Sequence, residues 1–404
     1  MRSAWRRLAV FGLAGMALFV IAACGGSSKS SSGSTTTTSS SGTPTVGVDD
    51  LTADFSAMTK LKPLASQGKG MIGVLHPDTT TSTRYVQYDA PNLTKAFKQA
   101  GLTSSQFKID NAHGSTSTMQ QQAEADITAG AAVLLVDPLD PGSGAAIESN
   151  AESKGVKVID YDRLVTGGPK DRYYVSFNNV QVGQLIGQGM VDCLSAWKVS
   201  KPQILVMSGA ATDNNAKLFA QGYNGVLDQK FSDGTYTKVG APAGTWDAPT
   251  AATTFEQQFT AHPNMNAVLM PNDDTANAVI AVLQKDKIPA QKFPTTGQDA
   301  APTGLQNILL GYQCGTVYKP YFAEAQAAAA LALYLRAGKT PPSSLVNDTT
   351  KDSTLNADIK SVYTKPFWVT KENMNDTVIK DGTISASALC TPKLANACKA
   401  AGIQ

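Results

Sequence analysis

The chain has 404 residues, enough for two domains and a tether, and its hydrophobic content of 42% is ordinary for a globular protein. Lys+Arg 34 against Asp+Glu 32 leaves a formal charge of +2, so charge gives no argument for nucleic acid or another acidic polymer. His76, His113 and His262 are scattered without ligand spacing and the usual zinc patterns are missing, so neither a metal nor a cofactor is expected.

Arg2, Arg6 and Arg7 precede an apolar run over residues 8–23 that ends in Ile21-Ala22-Ala23-Cys24. A basic flank, an apolar stretch and small residues make a secretory signal, and the run is shorter than the ~20 residues that cross a bilayer. A cysteine directly after the small residues resembles the lipobox of bacterial lipoproteins. That implies a lipoprotein signal segment over residues 1–24, cut just ahead of Cys24 so that Cys24 is exposed for lipidation, and anchoring on the outer face of the cytoplasmic membrane. Residues 25–42 are nearly pure Ser, Thr and Gly and cannot bury enough apolar surface to order themselves. The polar stretch beyond them is expected to extend this tether to residue 69. With Cys24 lipidated, four cysteines remain in an oxidising compartment. Cys390 and Cys398 are close in sequence and would staple the tail 390–404, leaving Cys193 and Cys314 as the second pair. The sequence leaves both bridges unproved.

From Met71 a βα rhythm begins. Strands are predicted at 71–76, 107–110, 131–136 and 156–160, with helices at 84–100, 118–129 and 147–153 between them. Continuous apolar strands alternating with amphipathic helices indicate a parallel sheet covered on both faces. The stretch 156–189 then organises the chain. Val156, Val158 and Ile159 deliver Tyr161-Asp162-Arg163 to a strand end, a second apolar run covers 173–177, and Asn178-Asn179 stand where a helix N-cap belongs. Beyond the crossing the rhythm restarts, with strands at 203–207, 236–239, 266–270 and 293–296 and helices at 214–229, 249–261, 274–285 and 303–309. The segment 314–318 returns into an Ala-rich helix at 320–337, and a third crossing is expected near Leu345. The fold class is α/β, two similar doubly wound parallel-sheet domains joined by a multi-strand hinge. The first takes residues 70–177 plus 318–344, the second 178–317 plus 345–389.

Polar residues recur at the carboxyl ends of strands in both halves, where open α/β sheets bind ligands. They are Arg84 and Tyr85, Asp162 and Arg163, Asp213 and Asn215, Trp246, Asn272, the quartet Gly297-Gln298-Asp299-Ala300, and Lys319 past the return crossing. Taken singly, Arg84 reads as a solvated helix residue, Asp213 and Asp273 as helix caps, and Trp246 as packing. Taken together, Asp, Asn and Arg offer planar multi-point groups for adjacent hydroxyls, and Tyr85 and Trp246 offer flat faces for sugar C–H bonds. Catalytic patterns fare poorly. Residues 68–73 fit G-x-G-x-x-G but enter a strand instead of following one, and neither Walker A nor G-x-S-x-G occurs. Asp162 with Asp299 makes a poor glycosidase pair, because Arg163 would keep its neighbour ionised.

The blocks YDR, YVSFNN, DNNAKLF, PNDDTANA, GQDA, TVYKP and NDTVIKDG closely resemble, in the same order, the type I sugar-binding proteins of bacterial ABC importers, the xylose-binding members above all. The resemblance covers residues 72–382. It implies that Arg84, Asp162, Arg163, Asp213, Asn215, Asn272, Asp299 and Lys319 contact a sugar, with Tyr85 and Trp246 against its ring. It further implies a monomeric, non-enzymatic lipoprotein that captures a monosaccharide such as xylose by hinge closure and delivers it to ABC permease subunits. A sensing version, presenting its closed form to a membrane receptor, is the alternative. Sugar-responsive repressors share the core, but their DNA-binding position is held here by an export signal.

Overall fold

A computed structural model gives the structure of residues 42–403. The signal, Cys24 and nearly all of the Ser/Thr/Gly run lie outside the described residues. The expected tether does not extend to residue 69. Two short helices, α1 (Ser56–Lys60) and α2 (Lys62–Gln67), form there, and Val46, Leu51, Phe55, Met58, Leu61 and Leu64 are all buried in the first core. These apolar residues recur every three to five positions within a polar composition, so average polarity hides one continuous buried face.

The first lobe follows the predicted rhythm: β1 (Met71–His76), α3 (Ala90–Gln99), β2 (Phe107–Asn111), α4 (Thr116–Thr128), β3 (Ala131–Val136), α5 (Pro141–Ser153), β4 (Lys157–Tyr161) and β5 (Tyr173–Phe177). Helix α6 (Asn179–Ala196) starts the second lobe, with the Asn178 side chain accepting from the Gln181 N–H as the cap. There follow β6 (Gln203–Val206), α7 (Asn214–Ser232), β7 (Thr237–Gly240), α8 (Ala248–Ala261), β8 (Ala267–Leu269), α9 (Asp273–Lys285) and α10 (Pro302–Leu310). The strand predicted at 293–296 contributes a single parallel bridge, Val268 to Thr295. Strand β9 (Thr316–Tyr318) returns the chain to α11 (Tyr321–Arg336) in the first lobe.

Helix α11 is buried nearly all round, with Ala325, Ala327–Ala330 and Ala332 fully covered. Alanine lets it lie between the sheet and the N-terminal helices, and Arg336 fastens it by donating to the Ala65 and Gly70 carbonyls.

The third crossing is not near Leu345. Strands β10 (Asp348–Asp352) and β11 (Ala357–Thr364) join the first sheet, β11 pairing parallel with β5 from Lys360–Tyr173 to Thr364–Phe177. The first sheet is therefore seven-stranded, in the order β10-β11-β5-β4-β3-β1-β2, and only β10 runs antiparallel to its neighbour. The chain crosses after Thr364 and β12 (Phe367–Val369) pairs antiparallel with β9. Strand β5 has an open edge that a crossing at 345 would leave unpaired, and β11 fills it. The tail is not separate either: Leu394, Cys398 and Ile403 share a core with Leu305 and Ile308 of α10. Cys390 is bonded to Cys398, and Cys193 of α6 to Cys314.

Candidate functional site

The two sheets aim their carboxyl ends at each other, and both lobes turn the chain sharply at that edge. Asp162 follows β4 with φ 57° and Asp299 follows the 295–298 segment with φ 95°, in the left-handed region that costs a non-glycine residue about 1–3 kcal/mol. The turns are held by the backbone around them. Asp162 N–H donates to the Val175 carbonyl, and the Asp162 carbonyl accepts from the Tyr174 hydroxyl, the Ser176 hydroxyl and the Asn215 amide. Asp299 N–H donates to the Val317 carbonyl, and the Tyr321 hydroxyl donates to the Asp299 carbonyl at 2.8 Å.

All ten residues expected from the sequence line one cavity between the lobes. Arg84, Tyr85, Asp162 and Arg163 come from the first lobe and Asp213, Asn215, Trp246, Asn272 and Asp299 from the second, with Lys319 on the crossing between them. Arg84 is a fully buried hub, not a solvated helix residue. Its Nε and Nη2 donate to Asp89 at 2.7 and 2.8 Å, its Nη1 to Asp162 at 2.8 Å, and its Nη2 also to Glu324 of α11. Burial pushes Glu324 up to about 8 against the lowering effect of Arg84, so of the carboxyls around this guanidinium it is the one raised towards protonation near neutral pH. Burial also works to raise Asp162, but Arg84, Lys319 and Arg163 outweigh it and hold that carboxyl below its ordinary range.

Asp162 therefore owes its charge chiefly to Arg84, with Lys319 and the adjacent Arg163 adding less. The Arg163 Nε lies 3.4 Å from Asp213 Oδ2 in the opposite lobe and 3.8 Å from Asp137 at the end of β3. Asp213 serves twice: Oδ1 caps α7 by accepting from Asn215 N–H at 2.8 Å, and Oδ2 accepts from the Trp246 indole at 3.0 Å. Cap and wall are the same side chain. Asn272, not Asp273, caps α9, accepting from Thr275 N–H. Trp246 packs closely against Gly209, where an added Cβ would stand 2.0 Å from the ring. Tyr85 stacks beside His76 with ring centres 5.9 Å apart and donates its hydroxyl to Asp162. Lys319 Nζ lies 3.0 Å from Asp299 Oδ1 and over the Phe177 ring.

Thr81, Ser82, Phe219 and Gln298 also line the cavity and were not among the expected contacts. Phe219 follows Asn215 by one helical turn, a spacing the sequence offered. Ser82 and Thr81 lie in a loop whose path shows only in three dimensions. Across the cleft Ser82 Oγ meets Asp299 Oδ2 at 3.3 Å, the Thr83 N–H donates to Asp274 at 3.0 Å, and Asn272 donates to the Thr81 carbonyl at 3.4 Å. The lobes thus touch through polar groups that ring the cavity.

Two α/β lobes joined by three crossings, with convergent polar groups between them, define a cleft-binding protein. Residues 72–340 match the periplasmic binding protein domain family, and the chain belongs to that family. It is 33% identical over 297 residues to the D-xylose-binding periplasmic protein of Escherichia coli, covering 72% of this chain and 86% of that one. It is 29% identical over 340 residues to the multiple sugar-binding periplasmic protein of Azospirillum brasilense, covering 80% and 92%. In structure it is similar to a carbohydrate transporter solute-binding protein from Chloroflexus aurantiacus in complex with D-glucose, with TM-score 0.71 and 29% identity over 79% of this chain and 98% of that one. The chain is accordingly a binding protein and not an enzyme.

Proposed function

We propose that the protein is an extracytoplasmic solute-binding protein that encloses a monosaccharide, an aldose such as xylose, between its lobes and passes it to an ABC importer. The observation that carries this reading is the convergence on one cavity of Asp162 and Arg163 from one lobe and Asp213, Asn272 and Asp299 from the other, beside the Tyr85 and Trp246 rings. Charged, planar groups match pairs of hydroxyls, each such hydrogen bond contributing about 1.5–3 kcal/mol net. The rings match the C–H face of a pyranose. The relatives that bind D-xylose and several sugars support the same class. Arg84, Asn215 and Lys319 complete the proposed contact set, and the ligand is held without metal or cofactor. The lipobox-like segment supports attachment of the mature, monomeric protein to the membrane through Cys24.

A thermal-shift screen of residues 43–404 against D-xylose, L-arabinose, D-ribose, D-glucose and D-galactose tests the reading. A ligand at a hundred times its Kd adds about 2.7 kcal/mol to apparent stability, a clear rise in Tm. No shift with any of the five, and no heat in calorimetry, would refute it. Membrane partition of wild type against Cys24→Ser in a lipoprotein-processing host tests the anchor: wild type is expected in the membrane fraction and the variant released.

A further inference from the structure

One side chain on the cavity wall has an unmet hydrogen-bonding demand. Gln298 is 3% exposed and lines the cavity, yet its Oε1 has no hydrogen-bond partner. Among the described residues it is the only buried side-chain polar atom without a partner that belongs to a cavity-lining residue. A buried amide left unpaired costs free energy comparable to a lost hydrogen bond, so such a position is stable only where something else completes it.

The local backbone explains why this side chain faces the cavity. At Gly297 an added Cβ would stand 2.0 Å from Asp273 Oδ1 and 2.3 Å from Gln313 Nε2, so the inner side of this segment is already filled. The next side chain of an extended segment points the opposite way. The register is held by the parallel bridge from Gln298 to Val317, by Asp273 N–H donating to the Gln298 carbonyl at 2.9 Å, and by the Ala300 N–H donating to the Thr316 hydroxyl. Gln298 therefore cannot turn inward for a partner. Its neighbour Asp299 is already engaged by Lys319, Tyr321 and Ser82.

We propose that Gln298 is a specificity-determining residue of the sugar site, its amide pairing with one particular ring hydroxyl. The proposal rests on the monosaccharide reading above. A sugar hydroxyl both donates and accepts, so the amide can engage it by either end. A ligand lacking that hydroxyl, or carrying it in the wrong configuration, leaves the amide buried and unpaired, which is the strongest form of discrimination against a missing group.

The test is calorimetry of wild type and Gln298→Met, close in volume and without the amide, against D-xylose, D-glucose and the monodeoxy derivatives of whichever of the two binds more tightly. Gln298→Met is expected to weaken that sugar roughly five- to fiftyfold. One monodeoxy derivative, and one only, should bind both proteins with the same affinity, because its missing hydroxyl is the partner of the missing amide. The ligand-free variant should melt no lower than wild type, since an unpaired buried acceptor has been removed. If wild type binds neither sugar nor any in the screening panel, the monosaccharide reading falls and this proposal with it. If wild type binds and Gln298→Met binds equally well, only the assignment of Gln298 is wrong. A weakened variant that loses affinity equally for every deoxy derivative, or that melts several degrees lower without ligand, shows a structural role and also overturns it.

Discussion

Asp162 and Asp299 occupy equivalent places, each at a positive φ past a strand end, one in either lobe. Their surroundings differ. Asp162 is built into the first lobe, bonded to Arg84 and Tyr85, with Asp89 and Glu324 behind Arg84 and the Tyr161 hydroxyl donating to Asp89 at 2.6 Å. Its side-chain carboxylate is held by the first lobe alone, and only its backbone carbonyl reaches the second lobe, accepting from the Asn215 amide. Asp299 leans instead on Lys319 at the crossing and on Ser82 across the cleft, so part of its setting exists only while the lobes are together. A preorganised wall spends little free energy on ordering when ligand arrives, and the opposite wall carries the part of binding that depends on closure. Substitutions in the Arg84–Asp162 set should therefore cost folding stability, and substitution of Asp299 should chiefly cost affinity.

The sharpest test of that division is Arg84→Ala. It strands Asp89, Asp162 and Glu324 without their common cation, and breaking such a buried set typically costs about 3–5 kcal/mol. Ligand-free urea or thermal unfolding should show the loss directly. An Arg84→Ala protein that unfolds like wild type would place Arg84 with Asp299 as a cleft group, and the contrast would collapse.

The Cys193–Cys314 bond is the second lobe's own means of fixing its wall, since residue 314 leads into β9 and then Lys319. It closes a sequence separation of 121, so replacing both cysteines by serine should cost about 2–4 kcal/mol of stability. The Cys390–Cys398 bond, with a separation of 8, closes a much smaller loop and its loss should cost less. Non-reducing peptide mapping of exported protein should find both bonds, and denaturant unfolding of the two double variants ranks them. Equal losses would mean that strain or residual structure, not loop closure, sets their contribution.

Asp299→Asn keeps the shape and removes the charge. It should weaken the sugar found in the screen by about 1.5–3 kcal/mol, roughly ten- to more than a hundredfold, with a much smaller change in ligand-free Tm. Calorimetry and melting curves on the same preparation separate the two. A variant that loses stability in step with affinity would show Asp299 to be as deeply structural as Asp162.

A further effect is the pH dependence carried by Glu324. Burial raises its carboxyl to about 8 in the folded protein from an ordinary value near 4.5. Between those values the folded state holds a proton that the unfolded state has released, so this contribution to stability is complete below about pH 4.5 and lost as pH rises through 8. Glu324→Gln keeps the neutral contact to Arg84 and removes the titration. The variant's Tm should fall less than wild type's between pH 5 and 8. Parallel pH profiles would mean that Glu324 is ionised throughout.

Much of this molecule is legible along the chain because its signals are local. The βα rhythm, the Asn178 cap, and the run from Val156 to Arg163 follow from side-chain period and capping chemistry, and the polar strand ends of both lobes do meet in one cavity. What the sequence could not decide depends on partners distant in the chain. The buried face of residues 46–64 is visible only once α11 is there to receive it. Strand β11 has no counterpart in the predicted rhythm, and its place beside β5 is set by which sheet edge lies open. Asp162 and Arg163 are neighbours whose charges are nevertheless answered by Arg84, from 78 positions earlier, and by Asp213 of the other lobe. Charge pairing is decided by distance and burial in three dimensions, and adjacency in sequence fixes neither.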